Sequence, residues 1–205
     1  MGKKEDFSVQ ETLIEITESF RKTRIALSKQ RTGDYLILWG LLMFLGYTAN
    51  EMLWILSMYK TGALIWLSLI VIGIAGTTII TIKRIKQRAS EYFPEGIYIG
   101  LSWISLLIYA IIFLGILKIT GISLQGIQTS LFFLNFAMLG YVLMGIFLGK
   151  ELAIIGIVTS IASLFCALFL KEFFNIAMAL LSLFSFVGGG IYINKKWSVK
   201  NETRA

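Results

Sequence analysis

Residues 63–82 read ALIWLSLIVIGIAGTTIITI, and the chain continues at once with Lys83-Arg84-Ile85-Lys86-Gln87-Arg88. These twenty residues carry no charge, and as a helix rising 1.5 Å per residue they cover roughly 30 Å, the thickness of a bilayer's hydrocarbon core. The basic cluster behind them is the kind of anchor that holds a span on its cytoplasmic side. Working outward in both directions, the same pattern recurs over residues 35–59, 96–117, 127–149, 152–170 and 173–193, with short polar breaks between blocks. The chain as a whole is 57% hydrophobic and only 15% charged, against about 45–50% and 25% in soluble domains. A soluble fold would have to crowd six nearly all-apolar helices around one small core. The predicted architecture is therefore all-α and polytopic. Six transmembrane helices, arranged as three hairpins over residues 34–193, follow an amphipathic cytoplasmic helix within residues 1–33. A polar tail, residues 194–205, follows them.

The net charge of +7 and pI near 9.5 would suit a nucleic-acid partner if the basic residues formed one patch. They flank the apolar blocks instead. With the N terminus inside, sixteen of the 19 lysines and arginines fall on the cytoplasmic side, leaving Lys60, Lys118 and Lys171 opposite. This bias predicts a multi-pass protein of the cytoplasmic membrane with both termini in the cytoplasm, a lipid bilayer as its surroundings and no nucleic acid among its partners. Tyr35, Trp39, Tyr59, Tyr92, Phe93, Tyr98, Tyr192 and Trp197 lie where interfacial aromatic belts are expected. The first thirty residues lack the apolar run of a cleaved signal, so insertion is expected to rely on the first span.

The sequence contains no histidine. Histidine-ligated haem, histidine-containing zinc sites and Ser-His-Asp hydrolysis are excluded with it. Cys166 is the only cysteine, so no disulfide framework exists. With no acid–base pair or metal cluster readable, we expect neither an enzyme nor a cofactor or metal.

Residues 7–31 read as one amphipathic helix. Ser8-Val9-Gln10-Glu11 has the form of a capping box, and Val9, Leu13, Ile16, Phe20 and Leu27 form one stripe. Glutamates occupy the early turns and basic residues the late ones, as the helix dipole favours. With acid and base this balanced, the stripe is expected to pack on the bundle, on a protein partner or on a second copy.

Glu51 is the one carboxylate well inside an apolar block, with Asn50 beside it. A charge at that depth costs a few kcal/mol and usually faces protein or a water-filled cavity. With Asn135 of the fourth block at a similar depth, Asn50 and Glu51 make a candidate polar pocket open to the exterior. Gln125, Gln128, Asn175 and Lys118 lie near that face. The other reading is an early exit of the first span, with residues 52–59 at the interface.

Small residues mark helix contacts, because they let backbones approach where no hydrophobic force drives association. Gly96–Gly100 and Gly145–Gly149 are GxxxG pairs, and Gly73, Gly76, Gly156, Ser160 and Ser163 add further small positions. Gly188-Gly189-Gly190 would serve either close packing or a hinge. Lys83, Arg84, Lys86 and Arg88 are expected at lipid headgroups. An offset of 94 residues relates Leu45-Gly46-Tyr47 to Leu139-Gly140-Tyr141 and residues 96–99 to 190–193, but it does not carry span onto span, so no inverted repeat is inferred.

Tyr35-Leu36-Ile37-Leu38-Trp39-Gly40 and the closing Gly190-Ile191-Tyr192-Ile193-Asn194-Lys195-Lys196-Trp197 resemble a group of small prokaryotic multi-pass membrane proteins that also carry a short polar helix ahead of their spans. The resemblance implies a membrane protein, without assigned activity, whose genes can accompany small transcriptional regulators; it carries over no site residues. The six-span substrate-binding subunits of energy-coupling-factor transporters are similar in size and topology only, and the AxxxA seam of their first helix is missing from residues 35–59. The expectation is a non-enzymatic membrane protein acting by interaction, sensing or scaffolding. The alternative is a small-solute or ion carrier using a pocket around Glu51.

Overall fold

In hydrocarbon no water pairs with a free backbone N–H or C=O, so an apolar block must satisfy its own backbone as a helix. The computed structural model, which describes residues 12, 14–18, 33–58, 61–87 and 95–202, shows this outcome block by block. Helix α1 covers Gly33–Ile55, α2 Gly62–Gln87, α3 Glu95–Ile119, α4 Ile127–Leu148 and α5 Lys150–Phe169. The sixth span is composite: a 3₁₀ turn at Lys171–Phe173, α6 over Phe174–Ser182, a π-helical turn at Leu183–Gly188 and α7 over Gly189–Glu202. Among the described residues six helices are long and apolar enough to cross a membrane. The chain is a multi-pass, all-α membrane protein. Of the amphipathic N-terminal helix, only residues 12 and 14–18 are described; they are helical, and Ile16 of the stripe is exposed. The capping box and the rest of the stripe lie outside the described residues.

Several helix ends differ from the sequence expectation. The first span neither breaks at Asn50-Glu51 nor runs helically to residue 59. It passes through both residues and ends at Ile55, because Ser57 turns left-handed (φ 56°) and the Met58 amide donates back to the Leu53 carbonyl at 2.9 Å. This closing geometry usually falls to glycine. At the opposite end of the bundle, α2 continues past residue 82 to Gln87 and α7 past residue 193 to Glu202. The loop and tail expected there begin as helix, since leaving the membrane does not end a helix and Lys, Arg and Gln are good helix formers.

The core consists of α1, α4, α5 and the sixth span. Only 6% of the membrane window of α2 or α3 is buried, against 22–33% for the other four, which makes α2 and α3 peripheral. α2 packs on α1, and α3 on α4. Each peripheral helix is seated by tryptophan on glycine. Trp39 of α1 covers Gly73 of α2, Trp66 of α2 covers Gly46 of α1, and Trp103 of α3 covers Gly140 of α4. In each case an added Cβ would lie 2.7–2.8 Å from the indole ring. Trp39, expected in an interfacial belt, thus has a packing role as well.

The tightest approach joins the first and last spans. Gly33 and Gly190 bring their backbones together, and a Cβ on Gly190 would stand 2.6 Å from the Gly33 carbonyl oxygen. Beside this crossing, Asn194 fastens the start of α1: its Oδ1 accepts the free Gly33 N–H at 2.9 Å and its Nδ2 donates to Asp34 Oδ1 at 2.6 Å. Further along, Gly40 lets α1 lie against Phe186 and Val187 of the π-helical turn. α4 and α5 form the closest hairpin, linked by Gly149 alone, with Gly145 directly against Ala153.

Thr159 of α5 is fully buried, and its hydroxyl has no partner among the described residues. A buried hydroxyl without a partner costs about 1–3 kcal/mol of desolvation, so an isosteric apolar replacement should be neutral or favourable. Thr159→Val is therefore expected to hold or raise the thermal midpoint of the detergent-purified protein. A midpoint several degrees lower would mean that the hydroxyl is satisfied in the membrane.

Candidate functional site

Tyr47, Asn50, Glu51 and Trp54 are spaced three, four and seven residues apart, which puts them on one face of the last turns of α1. That face meets the starts of α2, α4 and the sixth span, all at the same end of the bundle. Among these four ends lies a cavity of about 430 Å³. α1 lines it with Asn50, Glu51, Leu53 and Trp54, and α2 with Gly62. The start of α4 contributes Gly126, Ile127 and Ser130, and the sixth span Lys171, Glu172, Phe174 and Asn175.

Glu51 is half-buried in the wall, and Asn175 Nδ2 donates to its Oε2 at 3.1 Å. Because α1 stops at Ile55, Glu51 lies four residues from the helix end, about 6 Å along the axis. It is shallower than a span running to residue 59 would place it. Gly62 leaves room for the Asn50 amide, whose Oδ1 would lie 3.1 Å from a Cβ there. Tyr47, one turn further along α1, does not line the cavity but packs beneath it: it is 2% exposed, its ring meets Trp66 and Phe174 edge-on at 5.2 and 6.4 Å, and its hydroxyl faces Ser130. Lys171 and Glu172 are exposed at the rim, and Trp54 is 60% exposed. A carboxylate has about four acceptor positions, and one amide donor leaves the rest available to a ligand.

Asn135 does not belong to this cavity. Its Nδ2 donates to the Leu131 carbonyl at 2.9 Å and reaches Ser163 Oγ at 3.5 Å, so it serves the α4–α5 seam. The expected trio of Asn50, Glu51 and Asn135 is thus divided, and Asn175 stands against Glu51 instead. The reason is rotational. Five residues beyond Ser130, Asn135 is turned roughly 140° around α4, towards α5 rather than α1, and at eight residues from the start of that helix it also lies deeper than Glu51.

The remaining positions singled out from the sequence fall as follows. Gly145 and Gly149 serve the α4–α5 hairpin. Gly96 and Gly100 lie in the first turns of α3, and their surroundings are outside the described residues. The glycine triplet divides by position: Gly188 ends the π-helical turn, Gly189 packs on Ile155 and Gly190 on Gly33. Lys83 is exposed near the end of α2; Arg84 and Lys86 continue that helix, and Arg88 is outside the described residues. Sequence reasoning gave no role to Trp54, Ser130 or Glu172. Their shared signal is position, since each stands within about a turn of a helix end on the same side. No protein-family model matches this chain, and no curated protein or solved structure matches it.

Proposed function

We propose that this membrane protein is a non-enzymatic carrier or receptor that takes a small solute into the cavity at the outer end of its bundle. It would sit in the cytoplasmic membrane with both termini inside. The observation that carries this is the half-buried Glu51 carboxylate in the wall of a 430 Å³ cavity, held there by Asn175. A space of several hundred Å³ with apolar walls and a few convergent polar groups is what small-molecule sites usually offer. Membranes also rarely retain a carboxylate near hydrocarbon without a use for it. The charge bias supports an outer position for this end of the bundle. The cavity's lysine, Lys171, is one of the three basic residues on that side, while Lys83 and Lys195 lie at the other.

The test is a thermal-shift series on the purified full chain with small amines, amino acids, sugars and carboxylates. At least one class is expected to raise the wild-type midpoint and to do so far less in Glu51→Gln, since a lost charged hydrogen bond weakens binding by roughly ten- to a hundredfold. A second arm introduces Ser130→Cys in a Cys166→Ala background and applies a membrane-impermeant maleimide to intact cells. Labelling from outside is expected. No shift with any class, together with an unreactive Ser130→Cys, would end this reading.

A further inference from the structure

We infer that the cavity selects a small organic cation, with the charged head on Glu51 and the apolar body against Trp54, Leu53, Ile127 and Phe174; this rests on the solute-pocket reading above. The first observation is charge. The inner wall holds Asn50, Glu51, Ser130 and Asn175, of which only Glu51 is ionic. Lys171 and Glu172 are adjacent and exposed at the rim, where they offset each other in water. A guest entering past them meets a negative site, and among the described residues no basic side chain lines the wall behind it. The second observation is the donor already on Glu51. Asn175 presents its NH₂ to the carboxylate at 3.1 Å, so its amide hydrogens point at the same oxygens a cation would use. A hard metal ion requires six or more converging oxygens, and this geometry supplies a donor where such an ion wants an acceptor. An ammonium or quaternary ammonium group, with diffuse charge and modest coordination, makes no such demand.

The third observation is the rest of the lining. Trp54 is 60% exposed beside the carboxylate, and an indole face attracts cations, with Trp the best of the aromatic rings. Leu53, Ile127 and Phe174 offer apolar surface that a bare ion leaves unused. An anion is disfavoured, because it would lie against Glu51. A sugar is disfavoured too, because it would leave the carboxylate charge unanswered.

The experiment uses benzyltrimethylammonium, its uncharged tert-butyl analogue and the zwitterion phenylalanine as probes, with full-length protein in nanodiscs. Protection of Ser130→Cys from maleimide reports occupancy by any of them, and tryptophan fluorescence gives the affinity. The cation is expected to protect and the neutral analogue to bind at least about tenfold more weakly; Glu51→Gln removes most of that difference, and Trp54→Leu lowers cation affinity by about three- to tenfold. Glu51→Asp, which keeps the charge, is expected to recover part of the discrimination, separating loss of charge from loss of fold. If the neutral analogue protects as well as the cation, or phenylalanine binds best through Lys171, the cation assignment fails while the pocket stands. If no probe protects Ser130→Cys, the cation assignment fails, and if that cysteine is also unreactive the pocket reading fails with it.

Discussion

Gly190→Leu is expected to prevent the bundle from closing. The substitution pushes a side chain into the backbone of α1 at Gly33, where an added Cβ alone meets the carbonyl oxygen at 2.6 Å. Backbone cannot step aside as a flexible side chain would, so the cost should reach or exceed the upper end of the usual 1–3 kcal/mol for overpacking. Separating the helices also strands the bonds from Asn194 to Gly33 and Asp34, each worth about 1 kcal/mol or more. The expected readout is loss of the monodisperse peak in detergent size-exclusion chromatography. Neighbouring glycines make the test specific. At Gly188 a Cβ meets only the Leu183 carbonyl at 3.8 Å, and at Gly115 nothing lies within 4 Å. Gly188→Ala and Gly115→Leu should both leave the peak intact. A well-behaved Gly190→Leu protein would show that the first and last spans do not cross this closely.

Tyr47→Ala should be nearly as damaging, for a different reason. Tyr47 is 2% exposed in the cluster of Leu134, Met138, Phe174, Met178 and Phe186. Lipid is as apolar as the core, so hydrophobic transfer contributes little; the loss is dispersion, two edge-to-face ring contacts and the space left behind. Large-aromatic truncations in soluble cores cost about 3–5 kcal/mol, and with the transfer part reduced we expect roughly 2–4. Tyr47→Phe keeps the rings and removes only the hydroxyl facing Ser130. It should cost at most about 1 kcal/mol. Unfolding in mixed micelles would separate the two variants, and equal destabilisation would mean that the hydroxyl rather than the ring holds this part of the core.

The spans were legible because bilayer thickness imposes a length and charge imposes a boundary, and both are written in composition. Helix ends were less so. Nothing about Ser57 announces a left-handed residue, and the stretches after residues 82 and 193 stay helical on propensity alone once outside hydrocarbon. Packing partners were harder still. Trp39 reads as an interfacial anchor, and the Gly73 beneath it was not legible, because its position along the helix is readable but its facing is not. At the candidate site, the polarity of Asn50 and Glu51 stood out against their apolar surroundings. The partner of Glu51 did not, since pairing α1 with the sixth span joins residues 124 positions apart.

That pairing also bears on how the protein is made. A chain inserted in order must hold α1 in the bilayer through the synthesis of four further spans before its main neighbour arrives. Until then Gly33, Gly40 and the polar ends at Asp34 and Glu51 have no lasting occupant. Among the described helices α2, seated by reciprocal tryptophans, is the first that can hold α1 in the interval. A photo-crosslinker at Leu36, which is 3% exposed in the finished fold, should therefore capture lipid in membrane-inserted chains truncated before residue 171 and the sixth span in the full-length chain.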